Sequence, residues 1–209
     1  MPQTAVLTLQ GVAKFYGDKL IFRNLNFSAM PGRLYLILGS NGSGKSTLLR
    51  IMAGLAKPEA GLVNKAAGLR ISYLGHATFL YNHLTAMQNL RFWSRAQGLG
   101  LGDAELSRLL EKVELGAYAH EKARIFSRGM AQRLNFARCL LQRPRLLLLD
   151  EPFTGLDSRS QALLASELAA LKQDDTCIML VSHAPQADGK LADHIYTISE
   201  RQLQEKMPC

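Results

Sequence analysis

The sequence predicts an α/β fold in which crossover helices pack on a parallel sheet. Three observations carry that expectation. The apolar runs Leu34–Leu38 and 146–149 lack polar alternation, as strands buried on both faces do. Helical patterns separate these runs and a third at 176–181, and strand–helix–strand alternation builds parallel sheets. A glycine-rich loop, Gly39-Ser40-Asn41-Gly42-Ser43-Gly44, joins the first run to the first helix.

Taken in order, the first forty residues read as strands at 5–9, 19–23, 25–29 and 34–38. Leu48, Leu49, Met52 and Leu55 then mark one face of a helix that stops near Gly54 and Pro58. A short strand is expected at 69–74. Thr85-Ala86-Met87-Gln88 has the spacing of a capping box, opening a helix that Gly98 closes. Asp103 is expected to cap the next helix, where Leu106, Leu109, Leu110 and Val113 share a face. Ser127 precedes a helix over 128–142, ended by Pro144. A helix at 158–171, a strand at 176–181 and a hairpin through 195–203 complete the chain. The expected organisation is one domain, 1–209, with a core lobe from about 1–76 and 140–209 and an inserted helical subdomain at about 77–139.

Composition narrows the class. The 209 residues are 47% hydrophobic and 20% charged, as in a soluble globular protein. No apolar run approaches the ~20 residues of a membrane helix, and the first ten residues lack a signal-peptide pattern. Cys139, Cys177 and Cys209 are widely spaced and read as reduced thiols. A net charge of +8 favours an anionic neighbour. Seven basic residues and no acid lie between Lys122 and Arg145, but with only Phe126 and Phe136 interleaved no nucleic-acid partner is expected.

The chemistry begins at Gly39-x4-Gly44-Lys45-Ser46, a P-loop with a strand before it and a helix after it. Its amides cradle phosphate oxygens, the helix adds its positive end, Lys45 reaches the terminal phosphates, and Ser46 ligates Mg²⁺. Asp150 leaves a buried strand where a second Mg²⁺ contact is needed, and Glu151 can polarise the attacking water as general base. His183 follows the strand at 176–181 and should reach the γ-phosphate at the carboxyl edge of the sheet.

Many P-loop proteins share those parts. The stretch Phe126-Ser127-Arg128-Gly129-Met130-Ala131-Gln132-Arg133, with Asp150-Glu151-Pro152, Thr154-Gly155-Leu156-Asp157 and Ser182-His183, resembles the nucleotide-binding domain of ABC transporters over essentially the whole chain. That resemblance implies the ABC ATPase form of the P-loop NTPase fold: a RecA-like core lobe, N-terminal antiparallel strands and an inserted helical subdomain. It implies ATP and Mg²⁺ as cofactors. The ATP-binding residues would be Tyr16, stacking on adenine, with Gly39, Ser40, Asn41, Gly42, Ser43, Gly44, Lys45, Ser46 and Thr47. Lys45, Glu151 and His183 would be catalytic. Ser127, Arg128, Gly129 and Met130 would form a signature loop facing the ATP of a second copy, and Asp157 would lie at the dimer interface. A separate membrane-spanning subunit is implied as partner, with this chain on the cytoplasmic face of the bacterial inner membrane.

Three positions depart from the family pattern: Arg128 where glycine is common, Met130 where glutamine is common, and His76 where a metal-sensing glutamine is expected. His76 therefore joins Ser46 and Asp150 as a candidate Mg²⁺ ligand, although Mg²⁺ prefers oxygen. Tyr73-Leu74-Gly75-His76, the stretch 79–92, the signature and the run ending Leu156-Asp157 together resemble the ATP-binding subunit branch of cytochrome c maturation complexes, often called haem exporter ATPases. That branch implies haem handling by partners. No direct haem site is expected, since Cys-x-x-Cys-His is absent and the histidines are scattered in sequence. The alternatives are another small bacterial ABC exporter, or a soluble ABC ATPase of translation or DNA repair, which would usually carry a second cassette or a coiled coil.

Overall fold

The computed structural model describes residues 4–183 and 188–206. Cys209 lies outside them. Among the described residues, two sheets and five α-helices form layers. Strands β1 (Leu7–Tyr16), β2 (Lys19–Ala29) and β4 (Ala60–Lys65) make an antiparallel sheet in the order β2-β1-β4. The larger sheet has the order β5-β6-β7-β3-β8-β9, built from β3 (Leu34–Leu38), β5 (Ile71–Leu74), β6 (Leu146–Asp150), β7 (Cys177–Val181), β8 (His194–Ser199) and β9 (Gln202–Lys206). All its pairings are parallel except the terminal β8–β9 hairpin.

Side-chain alternation in the central strands feeds two cores. Leu34, Leu36, Leu147, Leu149, Ile178 and Leu180 face helices α2 (Ala86–Ala96), α3 (Asp103–Lys112), α4 (Arg128–Leu140) and α5 (Ser158–Gln173). Tyr35, Ile37, Leu146, Leu148, Met179 and Val181 face the other way, toward α1 (Lys45–Ala53) and the antiparallel sheet. A strand with helices on one face and a helix and sheet on the other has no solvent side, which is why its sequence shows no polar alternation.

Five elements differ from the sequence expectation. β1 runs to Tyr16 and β2 is one strand, because bulges at Gly11 (φ 61°) and Asn24 (φ 52°) interrupt the alternation without ending the pairing. β4 was absent from the expectation. It is an exposed edge strand with no apolar face to show in sequence. The cap of α3 is Gly102, not Asp103, whose carboxylate instead accepts a bond from Arg91 at 2.7 Å. α4 ends at Leu140, two residues before the expected Gln142. By contrast, the capping box of α2 is present in full: Thr85 Oγ1 accepts from the Gln88 amide at 3.1 Å, and Gln88 Oε1 accepts from the Thr85 amide at 2.9 Å.

Candidate functional site

The order β6-β7-β3 sets three adjacent carboxyl ends side by side. From β3 the chain enters the loop 39–44, from β6 come Asp150 and Glu151, and from β7 come Ser182 and His183. Between them lies a cleft of about 280 Å³, lined among others by Gly42, Lys45, Ser46, His76, Glu151 and His183. Asn41, Gly44, Thr47 and Ile21 complete its rim.

The loop is fitted to an anion. Gly42 and Gly44 have φ of 75° and 106°, and a Cβ at Gly44 would stand 2.6 Å from Ile21 and 2.7 Å from Phe22. α1 begins at that glycine without a side-chain cap and without an acid in its first turn. Its first amides are therefore left for a ligand, and its positive end faces the cleft. The Ser43 hydroxyl is buried without a partner. Lys45 is buried and folds its ammonium back onto the carbonyls of Gly39 at 2.8 Å and Ser40 at 3.0 Å. Burial lowers the Lys45 pKa from its ordinary value, and the charges of Glu151 and Asp150 partly restore it.

The acidic wall is equally constrained. The Asp150 side chain is inaccessible to solvent, with the Tyr73 hydroxyl donating to Oδ2 at 3.4 Å and His76 Nε2 at 3.6 Å from the same oxygen. Its Oδ1 is buried and unpartnered. A buried carboxylate oxygen without a donor costs free energy unless a cation or water meets it, so the donor set fits a divalent ion. Glu151 has φ of 55°, a left-handed conformation that costs a non-glycine residue on the order of 1 kcal/mol or more. Its amide donates to the Val181 carbonyl at 3.0 Å, locking the strained residue onto β7. His183 Nε2 lies 2.7 Å from Glu151 Oε1, and the Thr154 hydroxyl donates to Oε2 at 3.4 Å.

The histidines scattered along the chain are thus not all scattered in space: His76 and His183 share one cleft. Sequence reasoning missed Ile21, Tyr73, Thr154 and Asp188. Asp188 accepts a short hydrogen bond from Ser182, and burial raises its carboxyl pKa against the lowering effect of that bond. Tyr73, in the stretch quoted with His76, and Thr154, in the stretch quoted with Asp157, carried a sequence signal.

Other expected residues stand apart from the cleft lining. Tyr16 ends β1, half exposed, with Lys14 Nζ 5.1 Å from its ring centroid. Ser127 caps α4, accepting from the Met130 amide at 3.2 Å. Asp157 caps α5, accepting from the Ser160 amide at 2.7 Å, and that bond lowers its carboxyl pKa. The Arg128 guanidinium lies flat on Gly155, so that a Cβ there would stand 2.6 Å from Cζ and 2.7 Å from Nε. A Cβ at Gly129 would make ordinary contact with Leu156 and Ser160 at 3.8 Å.

A parallel sheet carrying a glycine loop, a buried aspartate and a strained glutamate at one carboxyl edge defines a P-loop NTPase. Its family follows from comparison. The ABC transporter family model matches residues 22–154, and the chain belongs to that family as an ATP-binding subunit, an ATPase that couples hydrolysis to transport. It is 32% identical to the Nod factor export ATP-binding protein I of Cupriavidus metallidurans, over 98% of this chain and 72% of that protein. It is also 32% identical to the lantibiotic transport ATP-binding protein SrtF of Streptococcus pyogenes, over 95% of this chain and 89% of that protein. The daunorubicin resistance ATP-binding protein DrrA3 of Streptomyces coeruleorubidus is 34% identical over 95% of this chain and 66% of its own length. A solved ATP-binding subunit of an ABC transporter superposes with a TM-score of 0.86 at 25% identity, covering 97% of this chain and 90% of that one. ATP-binding subunits of this family work with membrane-spanning subunits, typically as dimers. Among the described residues no helix is long and apolar enough to cross a membrane.

Proposed function

We propose that two copies of this chain close around two ATP·Mg²⁺ and that Glu151 is the general base of hydrolysis. The observation that carries this is the convergence of Lys45, Glu151 and His183 on one cleft beside an uncapped helix start, with Asp150 buried 3.6 Å from the cleft-lining His76. Lys45 exchanges its two loop carbonyls for terminal phosphate oxygens. The amides of 41–47 hold the phosphate chain, and Tyr16 offers a face to adenine. Ser46 and Asp150 would hold Mg²⁺, which would supply positive charge against the phosphate oxygens. Glu151 takes the proton of the attacking water, while His183, in contact with Glu151 Oε1, orients it and donates toward the γ-phosphate. The helix start at Ser127 and Gly129 faces the phosphates of the second copy, and Asp157 lies near that junction.

The test is Glu151→Gln, which keeps the shape and removes the base. The variant should form an ATP-dependent dimer without turnover, visible by gel filtration. A variant that stays monomeric at saturating ATP and Mg²⁺ overturns the mechanism.

At the finer level, we infer that the transporter handles haem during c-type cytochrome biogenesis, at the cytoplasmic face of a bacterial inner membrane. The support is the motif combination around His76, residues 79–92 and Arg128. The names of the relatives favour a second reading, export of a secondary metabolite or peptide. Copurified membrane partners separate the two: haem in the isolated complex supports the first, and its absence, with basal ATPase stimulated by an amphipathic drug or peptide, supports the second.

A further inference from the structure

We propose that the nucleotide-free cleft is a binding site for a borderline transition-metal dication such as Zn²⁺ or Co²⁺, held by His76, Asp150 and Glu151. One ligand atom from each of the three lies within 4.8 Å of the other two. A second, independent observation points to a cation: the Asp150 side chain is fully buried, and its Oδ1 meets no donor. Two carboxylates offset the charge of a dication, and the Lys45 ammonium that they also attract is held on loop carbonyls.

The imidazole decides which ion. Mg²⁺ demands six oxygen ligands in near-octahedral array and gives up water reluctantly, whereas a nitrogen-and-carboxylate set suits Zn²⁺ and Co²⁺. His76 stands where a glutamine would offer oxygen, and its ring is more than half exposed and so reachable from the cleft. Support around the ligands is already built. His183 holds Glu151 Oε1 at 2.7 Å, and the Tyr73 hydroxyl donates to Asp150. Such outer contacts fix ligand orientation and raise affinity. The one ammonium lining the cleft, Lys45, is turned onto the carbonyls of Gly39 and Ser40. The inference does not depend on how ATP is hydrolysed, because the site is complete in one chain without nucleotide.

Co²⁺ reports directly on this set, since nitrogen-containing sites of four or five ligands give visible ligand-field bands. The purified full chain, free of nucleotide, is titrated with Co²⁺ in the spectrometer and with Zn²⁺ by calorimetry. One ion per chain is expected. His76→Gln should weaken binding by at least about 10-fold and bleach the bands. Asp150→Asn should do the same, with circular dichroism reporting whether that variant is folded. His83→Gln with His120→Gln, on exposed histidines outside the cleft lining, should change nothing. Absence of the bands, binding that survives His76→Gln, or binding lost in the His83/His120 variant overturns the proposal. A parallel titration with a fluorescent ATP analogue and Mg²⁺ keeps the two readings apart: its failure would sink the nucleotide mechanism while leaving the metal result standing.

Discussion

At the residue scale, this protein shows how burial and hydrogen bonding set the state of single groups. Asp193 illustrates the balance. Burial pushes its carboxyl pKa up, but the Leu34 amide at 2.8 Å, Lys172 at 3.2 Å and the nearby Arg33 together hold it below the ordinary value. A depressed folded pKa means stability that is present above the unfolded value of ~3.9 and lost as pH falls through the folded value. Asp193→Asn should therefore flatten the acid limb of a pH–Tm profile, and an unchanged limb would show that other carboxylates dominate it. The thiols behave in the opposite sense. Burial raises Cys139 and pushes Cys177 up to about 12, so both stay protonated at neutral pH. Peptide mapping after alkylation should find these two cysteines modified only once the chain is denatured.

At the element scale, two glycines near the cleft show the geometric demand on its loops. Gly44 joins β3 to α1 where a side chain would strike Ile21 and Phe22. Gly44→Ala should cost about 1–3 kcal/mol of stability and should weaken nucleotide binding more than it lowers Tm, because α1 can move only by moving the loop. Calorimetry with and without nucleotide measures both. Gly155 has φ of 75° and lies under the Arg128 guanidinium, which ties the start of α4 to the loop after Glu151. Gln132 adds a second tie, donating to the Pro152 carbonyl at 3.3 Å. Gly155→Ala should be less damaging in an Arg128→Gly background, with a coupling of about 0.5–3 kcal/mol in a double-mutant cycle. Strict additivity would show that the guanidinium does not bear on that loop. The sequence marks Arg128 as unusual, and the family resemblance turns its loop toward the ATP of a second copy. Which backbone the guanidinium meets depends on where α4 docks, and no local pattern encodes that.

At the scale of the whole molecule, the central strands hold both layers together. Leu148 is fully buried between β5 and β7, facing the α1 side, and Leu148→Ala should cost about 2–5 kcal/mol and loosen the sheet edge that carries Asp150. Denaturant unfolding with coincident near-ultraviolet and far-ultraviolet transitions would check that figure. ATP-binding subunits of this family work with membrane-spanning subunits. Fractionation should place it at the membrane only when its partner is coexpressed. Copurification with ribosomes or DNA instead would contradict the transport reading.

Much of this was legible in the residues themselves. The P-loop, the buried strand before Asp150, the capping box at Thr85 and the signature at Ser127 are local patterns, and each rests on backbone chemistry within a few residues. Local patterns thus pointed to the fold class and carried the resemblance to the family. It could not show β4, whose edge position leaves no apolar face, nor the continuity of β2 through its bulge at Asn24. Only the tertiary structure decided that β7 sits between β6 and β3, and so only it brought His183 against Glu151, His76 against Asp150 and Arg128 onto Gly155. The physical reason is that sheet order is settled by long-range pairing and by burial on two faces, which no short window of sequence contains.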